Sequence, residues 1–156
     1  MESEENDKKD SKRKKTNQIS TKASISKELV SELLRDLHNV ANLSERDMYL
    51  GGIKLSERTK AKSLQDYLDT FRSMGFGDIS IIEENKEHNK WIFQGDQLVE
   101  YSENHGKPKD NYTLGFLCES LSKIHNGNKV VGVEIECQSA GDKKCIFVLQ
   151  NKAEVK

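Results

Sequence analysis

Glu134, Cys137 and Cys145 are the residues of this chain whose types and spacing most suggest chemistry. They lie in the stretch VVGVEIECQSAGDKKCIFVL, residues 130–149. It reads as two strands joined by a seven-residue connection, with Cys137 closing the first and Cys145 opening the second. Val131, Val133 and Ile135 alternate on the first strand, and Cys145, Phe147 and Leu149 on the second, the pattern of half-buried antiparallel strands. Gly141-Asp142 supplies the turn: glycine adopts positive φ without a Cβ clash, and aspartate bonds back to nearby backbone. Strand pairing therefore gathers two thiols and a carboxylate at one hairpin mouth. Thiolates and carboxylates are metal ligands, and a closed structural zinc site wants four. A Cys-x7-Cys pair by itself is a weak metal signal, and two small buried cysteines packing as modest hydrophobes is the plain alternative. Glu134 and Cys137, three apart, would face opposite sides of a regular strand. A bulge or strand end near Glu136 is needed to bring them together.

The elements that must position this mouth follow from the rest of the chain. The 156 residues suit one domain with a tail. Residues 1–24 hold only Met1, Ile19 and Ala23 from the hydrophobic set, so they read as a disordered charged tail. Their seven basic and five acidic side chains leave a net charge of −3 on the remainder of a chain whose total is −1. That balance gives no basic footprint for direct nucleic-acid binding. Residues 25–151 read as the folded domain, and 152–156 as a second short tail. No run reaches the roughly 18 apolar residues of a membrane helix. Without a hydrophobic segment after the charged start no secretory signal is expected. Three cysteines are too few and odd for a disulfide scaffold. A cytoplasmic protein with reduced thiols is expected.

Ser26 is an N-cap for a first helix to about residue 41, with Leu29, Leu33, Leu37 and Val40, flanked by Val30 and Leu34, in one apolar stripe. Ser44 and Asp47 signal a second helix. Gly51-Gly52 inside it means either a break or the close approach of a backbone or ligand. A third helix starts near Ser63 and ends at Gly75. The period then changes to two. Ile79, Ile81 and Ile82 form a strand, residues 83–89 a polar turn, and Trp91, Phe93 and residues 98–101 further strand. Residues 102–110 are a surface loop, and a fourth helix covers about residues 111–125. His38 and His125 fall near helix ends, and no histidine belongs to a catalytic pattern. Helices followed by strands give an α+β class: an antiparallel sheet packed with about four helices.

Gly75-Phe76-Gly77 before an isoleucine-rich strand, Leu114-Gly115-Phe116-Leu117, Asn126-Gly127, Val133-Glu134-Ile135-Glu136-Cys137, Gly141-Asp142 and Cys145-Ile146-Phe147 together resemble the 4-vinyl reductase domain family over the whole folded part. The resemblance implies a small domain, related in fold to trafficking-complex (TRAPP) subunits, that encloses an apolar small molecule and forms a homodimer. It also implies a zinc site in which Glu134, Cys137 and Cys145 match three ligands. The fourth, a cysteine in the aromatic-sensing relatives, has no match; Asp110 stands near its place, with Cys118 as the alternative. Leu50, Ile53, Phe71, Trp91, Phe93, Phe116 and Leu117 are the expected lining of the ligand cavity, although any core would contain such side chains. The expected function is a hydrophobic-ligand-binding or sensor domain that acts through a dimer or a signalling partner. The family name offers a rival, an enzyme or carrier in tetrapyrrole vinyl reduction, against which stands the lack of any nucleotide-cofactor fingerprint. A structural adaptor is the third reading.

Overall fold

Serine caps fix where three of the helices begin. In the computed structural model, which describes residues 25–99 and 110–152, Ser26 Oγ accepts from the Leu29 N–H and opens α1 (Lys27–Ala41). Ser44 and Asp47 form a reciprocal capping box at the start of α2 (Glu45–Arg58), and Ser63 and Asp66 do the same for α3 (Leu64–Ser73). Asp110 caps α4 (Asn111–Ile124), which His125 ends. The expected tails apart from Lys152, and the parts of the expected strand and loop within residues 100–109, lie outside the described residues.

Four strands, β1 (Asp78–Asn85), β2 (Lys90–Asp96), β3 (Val130–Glu136) and β4 (Cys145–Asn151), make one antiparallel sheet in the order β1-β2-β4-β3. Helices α3 and α4 cover one face, and α2 lies against α4 as an outer layer. The class is the expected α+β one. Leu98 and Val99 do not continue as strand; the Val99 N–H donates instead to the Phe76 carbonyl, pinning the chain beside α3. β1 also runs to Asn85, further into the expected turn.

The core lies between the helices and the inner face of the sheet. Phe71, Phe93, Phe116, Leu117, Leu121, Phe147 and Leu149 are fully buried there, with Trp91 2% exposed. Phe71 packs against Phe116 with ring centroids 4.6 Å apart and against Phe76 at 5.0 Å. The Gly51-Gly52 pair does not break α2. A Cβ on Gly52 would stand 1.9 Å from the Tyr112 carbonyl oxygen, and one on Gly115 2.0 Å from that of Tyr49. Glycine on each helix lets the α2 and α4 backbones meet, and Ser56 and Ser120 join their hydroxyls across that contact at 2.9 Å.

Two stripes face other than the alternation suggests. On β3, Val133 and Ile135 point outward at 53% and 52% exposure, while Val130 and Glu134 are buried. Residues directly opposite in a ladder share a face, and Glu134 pairs with the buried Phe147. On α1 the stripe Leu29, Leu33, Leu37 and Val40 is exposed, and only Val30 is buried. The first helix therefore gives the core only Val30 and the half-buried Leu34.

Candidate metal and ligand site

The hairpin mouth is assembled by a slip in register. Glu134 pairs with Phe147 and Glu136 with Ile146, so Ile135 is the extra residue and the ladder is irregular there. This shift turns Cys137 to the face that Glu134 occupies, which an ideal strand would forbid. Beyond it residues 138–140 form a single 3-10 turn, and Gly141 takes φ +102°. The Asp142 carboxylate accepts from the Cys137 N–H at 2.9 Å, and the Gln138 N–H points at Cys145 Sγ at 3.3 Å.

A carboxylate oxygen of Glu134 and the sulfurs of Cys137 and Cys145 consequently lie within 4.8 Å of one another, all three residues buried. A cavity of about 20 Å³ adjoins them, lined by Leu98, Val99, Asp110, Cys137, Gln138, Ser139 and Cys145. That is room for one water-sized occupant. Glu134 Oε2 accepts from the Asp110 N–H at 2.6 Å. Its Oε1 is buried with no hydrogen-bond partner among the described residues. An orphaned buried carboxylate oxygen is costly, and two soft sulfurs beside it make a donor set for a thiophilic divalent ion.

The electrostatics agree. Burial first, and then the neighbouring Asp110 carboxylate, push Glu134 well above the usual carboxylate range. Burial likewise raises Asp110, against two hydrogen bonds from Thr113 that pull it down. The hydrogen-bonded Cys137 thiol, followed by burial, drives the Cys145 thiol upward. With no cation, the site is expected to hold protons; a divalent ion would displace them and supply the charge that the burial lacks.

Of the two other residues considered as ligands, Asp110 lines the same small cavity as the sulfurs and Cys118 does not. The Asp110 carboxylate accepts from the Thr113 N–H at 3.0 Å and from Thr113 Oγ1–H at 2.7 Å, which makes it the cap of α4. Cys118 lies on α4 towards Tyr49 of α2 and is not part of the cluster; burial pushes its thiol up to about 11. Gln138 has a role that nothing in the sequence announces. Its side-chain oxygen accepts from the Gln97 N–H at 3.1 Å, and its amide nitrogen donates to the Lys143 carbonyl at 3.1 Å, clasping the mouth to the segment after β2.

Of the expected cavity lining, Phe71, Trp91, Phe93, Phe116 and Leu117 come together in the core, each at most 2% exposed. Leu50 is 44% exposed on the outer side of α2 and Ile53 is half-buried, so neither joins that group. Trp91 also packs on His125, the ring centroids 4.7 Å apart. A larger open groove, about 500 Å³, runs between α1, α3 and β1, lined by Ile25, Lys27, Asp69, Arg72, Ser73, Gly75, Gly77, Asp78 and Gln97. None of the expected ligand residues borders it. No helix among the described residues is long and apolar enough to cross a membrane.

No protein-family model and no curated protein matches the chain. Solved structures do. A vinyl-4-reductase family protein from Methanocaldococcus jannaschii superposes with a TM-score of 0.58 at 23% identity, over 79% of this chain and 77% of that one. The phenol-responsive sensory domain of the transcription activator PoxR, solved with phenol, gives a TM-score of 0.57 at 14% identity, over 81% of this chain and 75% of that one. A trafficking protein particle complex subunit 3 from Naegleria fowleri, covalently bound to palmitic acid, is a looser match, with a TM-score of 0.42 at 12% identity over 83% and 76%. The protein thus shares the fold of the 4-vinyl reductase domain, built here from four helices and a four-stranded antiparallel sheet.

Proposed function

We propose that this protein is a small-molecule-binding sensor domain whose hairpin end is fastened by zinc. The observation that carries the metal half is the pairing of an orphaned, buried Glu134 Oε1 with two sulfurs inside 4.8 Å. Glu134, Cys137 and Cys145 would hold the ion. Zinc there would supply structural cross-linking: it would tie β3, the 3-10 turn and β4 together and neutralise a buried acid. The reduced, buried state of the three cysteines suits a cytoplasmic setting.

The ligand half is supported by the fold shared with a phenol-bound sensory domain. An apolar, aromatic molecule suits the shell of Phe71, Phe93, Phe116, Leu117 and Trp91 between α3, α4 and the sheet. Those side chains pack against one another in the core, so entry requires them to swing aside. Binding would then alter how α3 and α4 sit, and a dimer or a signalling partner would read the change.

Two measurements test the halves separately. Metal analysis of freshly purified protein should find close to one zinc per chain, falling sharply, with a lower unfolding temperature, when Cys137 or Cys145 becomes serine. Equal zinc in parent and variants ends the metal proposal. Native mass spectrometry of the same preparation should find a co-purified hydrophobic molecule. In addition, simple phenols should raise the unfolding temperature by mass action. A bare chain indifferent to every apolar compound tried would reject the ligand half.

A further inference from the structure

We infer that Cys137 and Cys145 join in a reversible disulfide when peroxide reaches them, which makes the hairpin mouth a site of oxidative modification. Their side chains already meet. Glu136 pairs with Ile146, so one step further along the ribbon Cys137 stands across from Cys145. The two thiols hydrogen-bond to each other, and both sulfurs lie inside the 4.8 Å cluster. The backbone bonds of Cys137 go elsewhere. Its N–H donates to the Asp142 carboxylate at 2.9 Å, and its carbonyl accepts from the Ala140 and Asp142 N–H groups at 3.0 and 3.1 Å. The pair is thus of the non-hydrogen-bonded kind, in which facing Cα atoms of a ladder are about 4.5 Å apart. A disulfide spans roughly 4.4–6.8 Å between Cα atoms, so this one closes with little movement of either strand.

Both ends of the bond are held in place. The turn wound around the Cys137 carbonyl fixes one, and pairing of Cys145 with Gly95 of β2 fixes the other. Cys118 lies apart on α4, towards Tyr49, and does not compete. In a reducing compartment such a pair rests as thiols, and the disulfides found there are of the transient, sensing kind. The cavity of about 20 Å³ that both sulfurs border suits a small oxidant, hydrogen peroxide. Peroxide converts one thiol to a sulfenic acid; its O–O bond breaks and one water leaves. The second thiol attacks that sulfur, the S–S bond forms, and the sulfenic oxygen departs with the proton as a second water. The two sulfurs supply the two electrons that reduce the peroxide. Once bonded to each other they are no longer thiolate donors, so the crosslink would release an ion held there and leave Glu134 without its soft partners.

The crosslink rests on thiol geometry alone; only the release of an ion rests on the zinc reading. Freshly purified full-length protein is treated with a modest excess of hydrogen peroxide, its remaining thiols are alkylated in denaturant, and it is digested with trypsin. Lys143 and Lys144 lie between the two cysteines, so cleavage there opens the ring and leaves two peptides joined by the bond, which dithiothreitol separates. Nearly complete joining of Cys137 to Cys145 within one chain is expected, with Cys118 still a thiol. Cys118→Ser should behave as the parent does, and Cys137→Ser should give no such species. The parent decides the matter even where a variant fails to fold. Parent sulfurs that stay thiols, or that end as sulfinic or sulfonic acids, overturn the inference, as does a bond to Cys118 or between chains. A zinc-binding dye present during the oxidation separates the two readings. Zinc appearing in step with the crosslink supports both, whereas a crosslink with no zinc upholds this inference and counts against the metal site alone.

Discussion

Two helices of almost equal length, α1 and α4, both present leucines at helical spacing, and the molecule treats them in opposite ways. α4 is wedged between the sheet and α2, with Thr113 through Cys118, Ser120 and Leu121 all buried. α1 buries Val30 alone. The difference lies in what each stripe meets. α4 has Gly115 at its crossing with Gly52, so two backbones close on each other and the flanking side chains interlock. α1 meets the body through Val30, the half-buried Leu34 and a glycine, Gly75, whose φ of +82° belongs to the turn after α3. Amphipathic periodicity establishes that a helix has an apolar side. It does not establish that the same chain supplies the cover.

Substitutions on the two helices should separate this contrast in size. Phe116→Ala empties a fully buried position that touches Phe71 and Tyr67, and should cost about 3–5 kcal/mol in urea unfolding. A loss below about 1 kcal/mol would show that the packing around α4 is looser than described. Gly115→Ala puts a methyl against the Tyr49 carbonyl and should cost about 1–3 kcal/mol by forcing α2 and α4 apart; a neutral result would deny that the glycines set the crossing. Leu33→Ala, measured at concentrations where the protein is monomeric, should change stability by no more than about 0.5 kcal/mol. The same substitution costing as much as Phe116→Ala would mean that α1 is packed within one chain after all.

The smallest effect concerns Cys118 on α4. Burial raises its thiol to about 11, so the folded state favours the protonated form. Its contribution to stability is complete below the unfolded thiol value and disappears as the pH rises from about 9 to 11. At pH 8 the native protein should leave Cys118 unalkylated by iodoacetamide, and the unfolded chain should react at once. Rapid native labelling at Cys118 would contradict the close fit between α4 and α2.

At the hairpin mouth, the demand for an irregularity near Glu136 was legible from spacing alone, because a strand cannot put residues three apart on one side. The inward side of β3 was not. Val131, Val133 and Ile135 are the more apolar set, yet pairing with β4 turns Glu134 inward opposite Phe147. A buried acid in place of valine contradicts any pattern rule, and it is the sort of local inconsistency that marks a functional site. Asp110 could be placed near the site from its position before α4, but whether its carboxylate faces the sulfurs or Thr113 depends on how α4 enters the core. The carboxylate accepts from Thr113, while Asp110 also lines the small cavity beside the two sulfurs.

What the residues alone determined is local. Ser26, Ser44 and Ser63 opened the helices because a side-chain oxygen three residues before an N–H suffices to cap it, and Gly141-Asp142 turned the ribbon because those residues alone relieve that backbone. What required the assembled protein is every question of facing: that α1 looks outward, that Gly52 serves a helix crossing, that a buried glutamate and two thiols meet within 4.8 Å. Capping and turning are decided within a few residues, whereas burial depends on surfaces brought together from far along the chain.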